Sequence, residues 1–569
     1  MKFVKYIIAL ALALCATANV SHAQGTIQFL GGGSSALFLE LGQAAATGSS
    51  ATPCVWTQKS TSTIVARDTR VGTPGTDETG NIWITWNPGS GPDCTAPAAP
   101  FNVYAYMSLD SVIGDRCFFL DSSTTGSGCV QIMTVAALTA DAGLLGSGFG
   151  TPTPIPAAVI STLNNQNFFV AGTDIRPEDA KFASKRMFTA CGAGLIREPY
   201  INTSYQTSGL GYQTSTTGVG TTIKSFFSTK AFHVLDFNIS GTDPISGQPV
   251  RAYTVTTVGA QPIVVAVSPA GGTGIGAASN IQSQVLSEFL NGTIGRSTDL
   301  VGPTTTNAVT TLIREPLSGT YNVMEYSNPN SSQFKSSQDL LNCTGSVLKQ
   351  NPLNFASANN ALIGGVHAFR DRVIGTGEMV ATLQGAGTDT LGYFFWSAGN
   401  AGAFTPTNGK YLTVDGVDPI ANNYAVTNGV FPTASTPGTP PLSAVTFSNL
   451  NAGSYPIWSA LRLVSVSPVP AGVTALVNDA QALTSTQSDF ITLANLNVWH
   501  SHFNMFVLGI SNNSNGPTIN PATPGDLCGI GGALPEGGGD AGGATITKIE
   551  NHDFCADYNV TTGIVDKNN

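Results

Sequence analysis

The chain has 569 residues, of which only 10% are charged, with 64 glycines and a formal net charge of −10. That length is enough for two lobes with large insertions around a full apolar core, and the acidic balance excludes a general nucleic-acid or anionic-membrane surface. Capture of one small anion is not excluded, because backbone N–H groups and a single Arg can supply a local positive field.

Residues 1–23 show the three parts of a secretory signal: Lys2 and Lys5, an apolar run from Tyr6 to Leu14, and small residues leading to Ser21-His22-Ala23. Cleavage is expected after Ala23, which places the mature chain in the periplasm or outside the cell. Leu14 precedes Cys15 where lipoprotein processing wants a small residue, so Cys15 is expected to leave with the signal. No later stretch has the ~18 consecutive apolar residues of a spanning helix. The remaining cysteines are Cys54, Cys94, Cys117, Cys129, Cys191, Cys343, Cys528 and Cys555. An even set in an exported chain reads as four disulfides. Loop closure favours Cys54 with Cys94, Cys117 with Cys129 and Cys528 with Cys555, which leaves Cys191 for Cys343; spacing alone does not decide the connectivity.

In chain order, Ile27–Leu30 reads as a strand running into Gly31-Gly32-Gly33-Ser34-Ser35 and then a helical pattern over Ala36–Ala44. Residues 45–100 are rich in Thr, Gly, Pro and Ser and read as an elaborated surface region holding one strand, Asn81–Trp86. Phe101–Met107 is a second strand leading into Ser111–Phe119. Asn167–Asp174 is a third, with a helix expected to open at Arg176–Ala180. Repeated strand-turn-helix units predict an α/β architecture with largely parallel strands, whose carboxyl ends are where ligands gather. The apolar run Pro262–Val267 predicts a buried strand crossing to a second lobe that holds a helix around Val285–Leu290, the strand Val309–Arg314 and the segment Val373–Tyr393. Lys410–Val417 and Tyr455–Trp458 are expected to return to the first lobe. The predicted organisation is therefore a first lobe over 24–261, a second over 262–400, a return over 401–474, and a C-terminal extension over 475–569 with a Gly-rich tract at Gly529–Gly543.

The sharpest local signal is Thr311–Thr320, an apolar strand ending in Arg314-x-x-x-Ser318-Gly319-Thr320, followed by a helical pattern over Tyr321–Glu325. Each part suits a tetrahedral anion. Arg314 offers a fixed fork of donors, Ser318 and Thr320 add hydroxyl and N–H groups, Gly319 lets the backbone come close, and the helix start points N–H groups outward. The plainer alternative for Ser318 or Thr320 is an ordinary helix cap.

Taken together, these segments resemble the PstS-type phosphate-binding proteins and their DING-type relatives, whose Arg-x-x-x-Ser-Gly-Thr loop stands unchanged at Arg314–Thr320. The family's opening glycine loop is similar to Gly31–Ser35, which implies Ser35 and the Ala36 backbone as ligands. Its Gly-Ser-x-x-Gly turn resembles Asp110–Gly114, implying Ser111. Its Ala-Ser-Asp turn resembles Gly172-Thr173-Asp174, implying that Asp174 accepts the proton carried by bound phosphate. Looser matches, in the family's order, are Leu286–Ile294, Leu391–Tyr393 and Leu412–Val417. The resemblance implies a two-lobed, type II periplasmic-binding-protein fold that captures inorganic phosphate or a similar oxyanion through Ser35, Ala36, Ser111, Asp174, Arg314, Ser318, Gly319 and Thr320, and delivers it to an ABC permease. Two departures stand out: Asp110 replaces a Gly, and a carboxylate there opposes an anion, while Ser35 replaces a Thr. A degenerate surface or matrix protein with the same fold is the alternative.

His500 and His502 alternate on one strand face but lack a third ligand at a supporting spacing, and no Gly-x-Ser-x-Gly elbow occurs. Neither an enzyme, a metal centre nor a cofactor is expected.

Overall fold

The computed structural model describes residues mainly within 25–175, 253–327 and 362–496, with short interruptions, together with a few isolated strand pairs. The expected signal segment, Arg176–Ala180, His500, His502 and the Gly-rich tract lie outside the described residues. So do the side chains of Cys191, Cys343, Cys528 and Cys555.

The elements that build the molecule are, in chain order, β1 (Thr26–Gly33), α1 (Leu37–Gly48), β2 (Cys54–Gln58), β3 (Ile64–Asp68), β4 (Ile82–Trp86), β5 (Asn102–Ser108), α2 (Ser111–Phe119), β6 (Cys129–Met133), β7 (Val170–Thr173), β8 (Tyr253–Ser268), α3 (Ser283–Asn291), β9 (Thr310–Arg314), α4 (Gly319–Ser327), β10 (Phe369–Val373), α5 (Gly375–Gly385), β11 (Thr390–Phe395), β12 (Trp458–Val466) and α6 (Ala471–Ala482). The class is α/β, built on one large mixed sheet with the order β10-β9-β11-β8-β12-β7-β1-β5-β4-β2.

Strand β8 divides that sheet into two halves. Its first ten residues, Tyr253–Pro262, pair with β12, and from Ile263 onward it pairs with β11. A strand of 16 residues spans about 50 Å, long enough to serve both. It is buried almost throughout because its Val, Ile and Ala side chains meet apolar layers on both faces. One residue, Val258, is extra between Thr257 and Gly259 in the pairing with β12, a bulge that bends the strand there.

The sheet is mixed, whereas the sequence pattern predicted largely parallel strands. β1 lies parallel to β5 and β7, and β9 lies parallel to β10 and β11. β8 and β12 run antiparallel to their neighbours, as do β2 and β4. Parallel pairs need a long crossover, which the helices supply, while the helix-free insert that contains β2 and β4 adds its strands antiparallel. A second correction concerns Lys410 and Tyr411, expected in the first lobe: they pair with Val267 and Ala266 in the second half of the sheet. Tyr411 is drawn there by an apolar cluster with Phe394, Phe404 and Phe431, and the chain re-enters the first half through β12.

Two helices of the first half show the physical reasons for their placement. α1 buries Leu37, Leu41, Ala44 and Ala45 on one stripe and packs against α6. α2 is tied by the Cys117–Cys129 disulfide to β6, which pairs with β3; Cys54–Cys94 clips β2 to the following loop. These are two of the three pairings expected from loop closure. Apolar packing runs without a break from Ile113 and Ile175 in the first half to Leu317 and Tyr321 in the second. No described helix is long and apolar enough to cross a membrane.

Glu40 on α1 is fully buried beside Gly259, and its carboxyl oxygens have no hydrogen-bond partner among the described residues. Burial pushes this carboxyl well above the usual carboxylate range. A folded-state pKa above the unfolded one means that the site is most stabilising below the ordinary Glu value, and that stability declines as pH rises toward the folded value. Glu40→Gln is therefore expected to raise the melting temperature by an increment that grows from about pH 4 toward neutrality. Thermal melts of both proteins across that range check this, and an increment that stays flat or shrinks contradicts it.

Candidate functional site

Four strand ends converge. β1 stops at Gly33, β5 at Ser108 and β7 at Thr173 in the first half, and β9 stops at Arg314 in the second. Turns at the carboxyl ends of parallel strands are where an open α/β sheet leaves backbone groups for a ligand.

The first turn depends on glycine. Gly33 has φ +138°, and a Cβ there would lie 2.0 Å from the Gly172 carbonyl oxygen, so only glycine lets β1 and β7 finish side by side. Ser34 N–H then donates to Gly172 O at 2.7 Å, and Tyr106 O–H donates to Ser34 O at 2.6 Å. The Ser34 hydroxyl accepts from Ala36 N–H at 3.1 Å and also hydrogen-bonds Asp174. The hydroxyl that reaches Asp174 belongs to Ser34, the neighbour of Ser35, which was expected as a ligand of the anion. Ser35 is half-buried, and its carbonyl accepts from Phe38 N–H as α1 begins.

Asp174 is the centre of the cluster. Ser111, the first residue of α2, donates its hydroxyl to Asp174 Oδ1 at 2.8 Å, and its Oγ accepts from Asp174 N–H at 3.3 Å. The turn is braced by Thr173, whose hydroxyl makes contacts of 3.1 Å to Asp115 Oδ2 and 2.9 Å to Ile175 O. From behind, Ser459 Oγ donates to Asp174 O at 2.8 Å and an Arg462 guanidinium nitrogen donates to the same oxygen at 3.1 Å. Burial pushes the Asp174 carboxyl above the usual range; hydrogen bonds from Ser34 and Ser111 and the positive charges of Arg314 and Arg462 pull it back. Its pKa is therefore set by a balance that any change in these partners moves.

The second half closes onto this cluster. A Cβ on Gly319 would lie 2.4 Å from both Asp174 Oδ2 and Ser111 Oγ, so the start of α4 rests directly on the pair. Val112 N–H donates to Leu317 O at 3.3 Å, joining α2 to the same loop. Arg314 is buried, interacts electrostatically with Asp174, and donates to Thr376 Oγ1 at 2.9 Å. Ser318 takes the helix-cap role: its Oγ accepts from Tyr321 N–H at 3.4 Å and its carbonyl from Asn322. Thr320 is buried in the first turn of α4. Asp110 is half-buried, and its carbonyl accepts from Gly114 N–H at the start of α2.

Of the expected site residues, the structure brings Ser111, Asp174, Gly319 and Arg314 together. Ser318 and Thr320 lie on the adjoining helix start, and Ser35 and Ala36 just beyond Ser34. Sequence reasoning missed Ser34, Ser459, Thr376 and Arg462. One signal was available for the last of these: Arg462 is the only charged residue in Trp458–Val466, and a lone Arg in an apolar strand needs a buried partner. No group of three or more His, Cys, Asp or Glu able to hold a metal ion occurs among the described residues.

No protein family matches the chain, and no curated protein does. The solved structures that overlap it include phosphate-binding proteins. A phosphate-binding protein from Stenotrophomonas maltophilia is 13% identical, covering 72% of this chain and 87% of its own, with a TM-score of 0.31. PstS from Borrelia burgdorferi is 14% identical over 42% of this chain and 72% of its own, with a TM-score of 0.25. An ABC-type phosphate transport receptor from Vibrio cholerae is 12% identical over the same shares, 42% and 72%, with a TM-score of 0.25. Likeness of this degree carries no argument about what this chain binds.

The seating of Gly319 on Asp174 and Ser111 gives a direct test of the cluster. Helix propensity alone would make Gly319→Ala stabilising by about 1 kcal/mol. The added methyl meets two short, buried polar side chains, and overpacking of this kind costs about 1–3 kcal/mol. Denaturant unfolding should therefore show Gly319→Ala to be less stable than wild type; a gain would mean that the halves do not meet as described.

Proposed function

We propose that this chain is an exported solute-binding protein that captures phosphate, or a closely related oxyanion, between the two halves of its sheet and presents it to an ABC-type permease. The observation that carries the reading is the junction of Ser111, Asp174 and Gly319 with Arg314 at the carboxyl ends of strands from both halves. A fork of guanidinium donors holds two oxygens of a tetrahedral anion. Hydroxyls and the backbone at Gly319 serve the others. A carboxylate accepts but does not donate, so Asp174 welcomes a ligand oxygen that carries a proton and repels a fully ionised sulfate. Parting of the halves by bending near the strands that join them would admit the ligand. Two disulfides among the described residues suit an oxidising compartment outside the cytoplasm. Binding without chemistry is the proposed reading for the site, because Arg314, the hydroxyls and the Gly319 backbone are donors suited to hold an anion.

One set of contacts favours a second reading, a surface or matrix protein that keeps the fold without the ligand. The Ser318 hydroxyl caps α4, an Arg314 nitrogen is engaged by Thr376, and Gly319 rests on the Asp174–Ser111 pair, so the loop is satisfied internally.

Calorimetric titration of the purified mature protein with phosphate, arsenate and sulfate separates the two. Phosphate and arsenate are expected to bind and sulfate to bind much more weakly. Arg314→Ala removes the charge-assisted fork and should cost about 2–4 kcal/mol, or about thirty-fold to a thousand-fold in affinity. Asp174→Asn should weaken phosphate modestly while narrowing the gap to sulfate. If wild type, Arg314→Ala and Asp174→Asn all ignore phosphate, the second reading replaces the first.

A further inference from the structure

Strand β12, Trp-Ser-Ala-Leu-Arg-Leu-Val-Ser-Val, is apolar apart from its serines and Arg462, and Arg462 is only 1% exposed. Burying a guanidinium is costly unless a partner offsets it. The Asp174 carbonyl, which Arg462 contacts at 3.1 Å, already accepts from Ser459 at 2.8 Å, so a hydroxyl suffices for the hydrogen bond. A second Arg462 bond, 2.9 Å to Ala460 O, folds the side chain back along its own strand and fixes where the charge sits. What a guanidinium adds at that point is its positive charge behind the Asp174 turn.

We infer that Arg462 is a positioning residue of the site: from the first half of the sheet it grips the Asp174 turn and preserves the carboxylate as an anionic hydrogen-bond acceptor while Arg314, carried by the second half, moves away. The inference deepens the oxyanion-binding reading and rests on it for its consequence, that selection for a protonated oxyanion is already set before the halves close.

The charged and titratable groups around Asp174 are few. Arg314 faces it from β9 and Arg462 from β12, both favouring the ionised carboxyl. Asp115 on α2 stands one hydroxyl away through Thr173, and Tyr106 on β5 is held neutral, its phenol pushed far up by burial. With Arg314 displaced, Arg462 is the cation that still acts on Asp174 among the described residues. Burial already favours the protonated form of Asp174, so loss of this charge should move its titration upward.

The test separates charge from hydrogen bonding. Arg462→Gln keeps an N–H donor and removes the charge; Arg462→Lys keeps the charge and loses the fork. Protein labelled with ¹³C at Asp side-chain carboxyls, with Asp174→Asn to assign the resonance, reports the Asp174 titration directly and without ligand. Arg462→Gln is expected to raise its midpoint by about one pH unit or more, and Arg462→Lys to leave it within a few tenths. In parallel, the ratio of phosphate to sulfate affinity is measured against pH. Its acid-side decline should shift to higher pH in Arg462→Gln by the same amount. An unmoved Asp174 midpoint in Arg462→Gln overturns the inference. So does an equal shift in Arg462→Lys, which would mark loss of geometry rather than of charge. If wild type binds no phosphate, the proposed function fails by itself, and the Asp174 midpoint still decides whether Arg462 governs that carboxyl. Should Arg462→Gln not fold, Arg462→Met, a neutral chain of similar length, takes its place with the same expected shift and is read beside Ser459→Ala: a midpoint raised by Arg462→Met and unmoved by Ser459→Ala supports the inference, and one raised by Ser459→Ala but unmoved by Arg462→Met overturns it.

Discussion

A carboxyl group sealed from water at the end of β7 imposes the strongest constraint in the molecule. Asp174 is 4% exposed, and an ionised carboxylate in that position is tolerated only if donors and positive charge surround it. Those partners come from separate parts of the chain: Ser34 after β1, Ser111 at the start of α2, Arg314 from β9 and Arg462 from β12. Each is separately held. Tyr106 fixes the Ser34 backbone, the Cys117–Cys129 disulfide ties down α2, and Thr376 engages Arg314. The convergence of strands at one place and the electrostatics of one side chain are thus two descriptions of the same requirement.

The same cluster explains why the two halves of the sheet can be coupled. β8 is continuous through both, and the return strand β12 lies beside it in the first half. The connection is therefore made of backbone, whereas contact across the site is made of Gly319, Leu317 and the ends of short polar side chains. Contacts of the second kind are weak singly and form or break together, which is what a ligand needs in order to bias an open and a closed arrangement. The bulge at Val258, beside the buried Glu40, bends β8 within the first half. The first half is thus not a rigid ideal sheet at the point where α1 packs on it.

Much of this was legible before any coordinates. Alternation and apolar runs placed β1, β4, β5, β9 and the helices α1 and α3 to within a few residues, because their periodicity reflects burial on one face or both, whereas of β8 they marked only the apolar second part, Pro262–Val267, and not the Thr-rich start from Tyr253. Short loops in an oxidising context made Cys54–Cys94 and Cys117–Cys129 the natural pairings. Lys410 and Tyr411, expected to return to the first half, pair with β8 in the second, since nothing local distinguishes which of two apolar surfaces an aromatic such as Tyr411 will join. Strand direction was likewise read too uniformly, because antiparallel and parallel strands share one side-chain period.

For the site, the sequence by itself determined the turns: glycines, hydroxyls, an Asp and an Arg at strand ends, each recognisable because backbone strain and donor chemistry restrict which residues fit. Tertiary structure decided which of them touch. The contact of Ser34 with Asp174 follows from where β1 leaves the sheet beside β7, a matter of register between strands whose paired residues are 139 positions apart. The placement of Arg462 behind Asp174, across 288 positions, depends on β12 pairing with β7. Local sequence carries propensity and burial pattern; partners so far apart in the chain are chosen only when the sheet closes and every buried charge must find its counterpart.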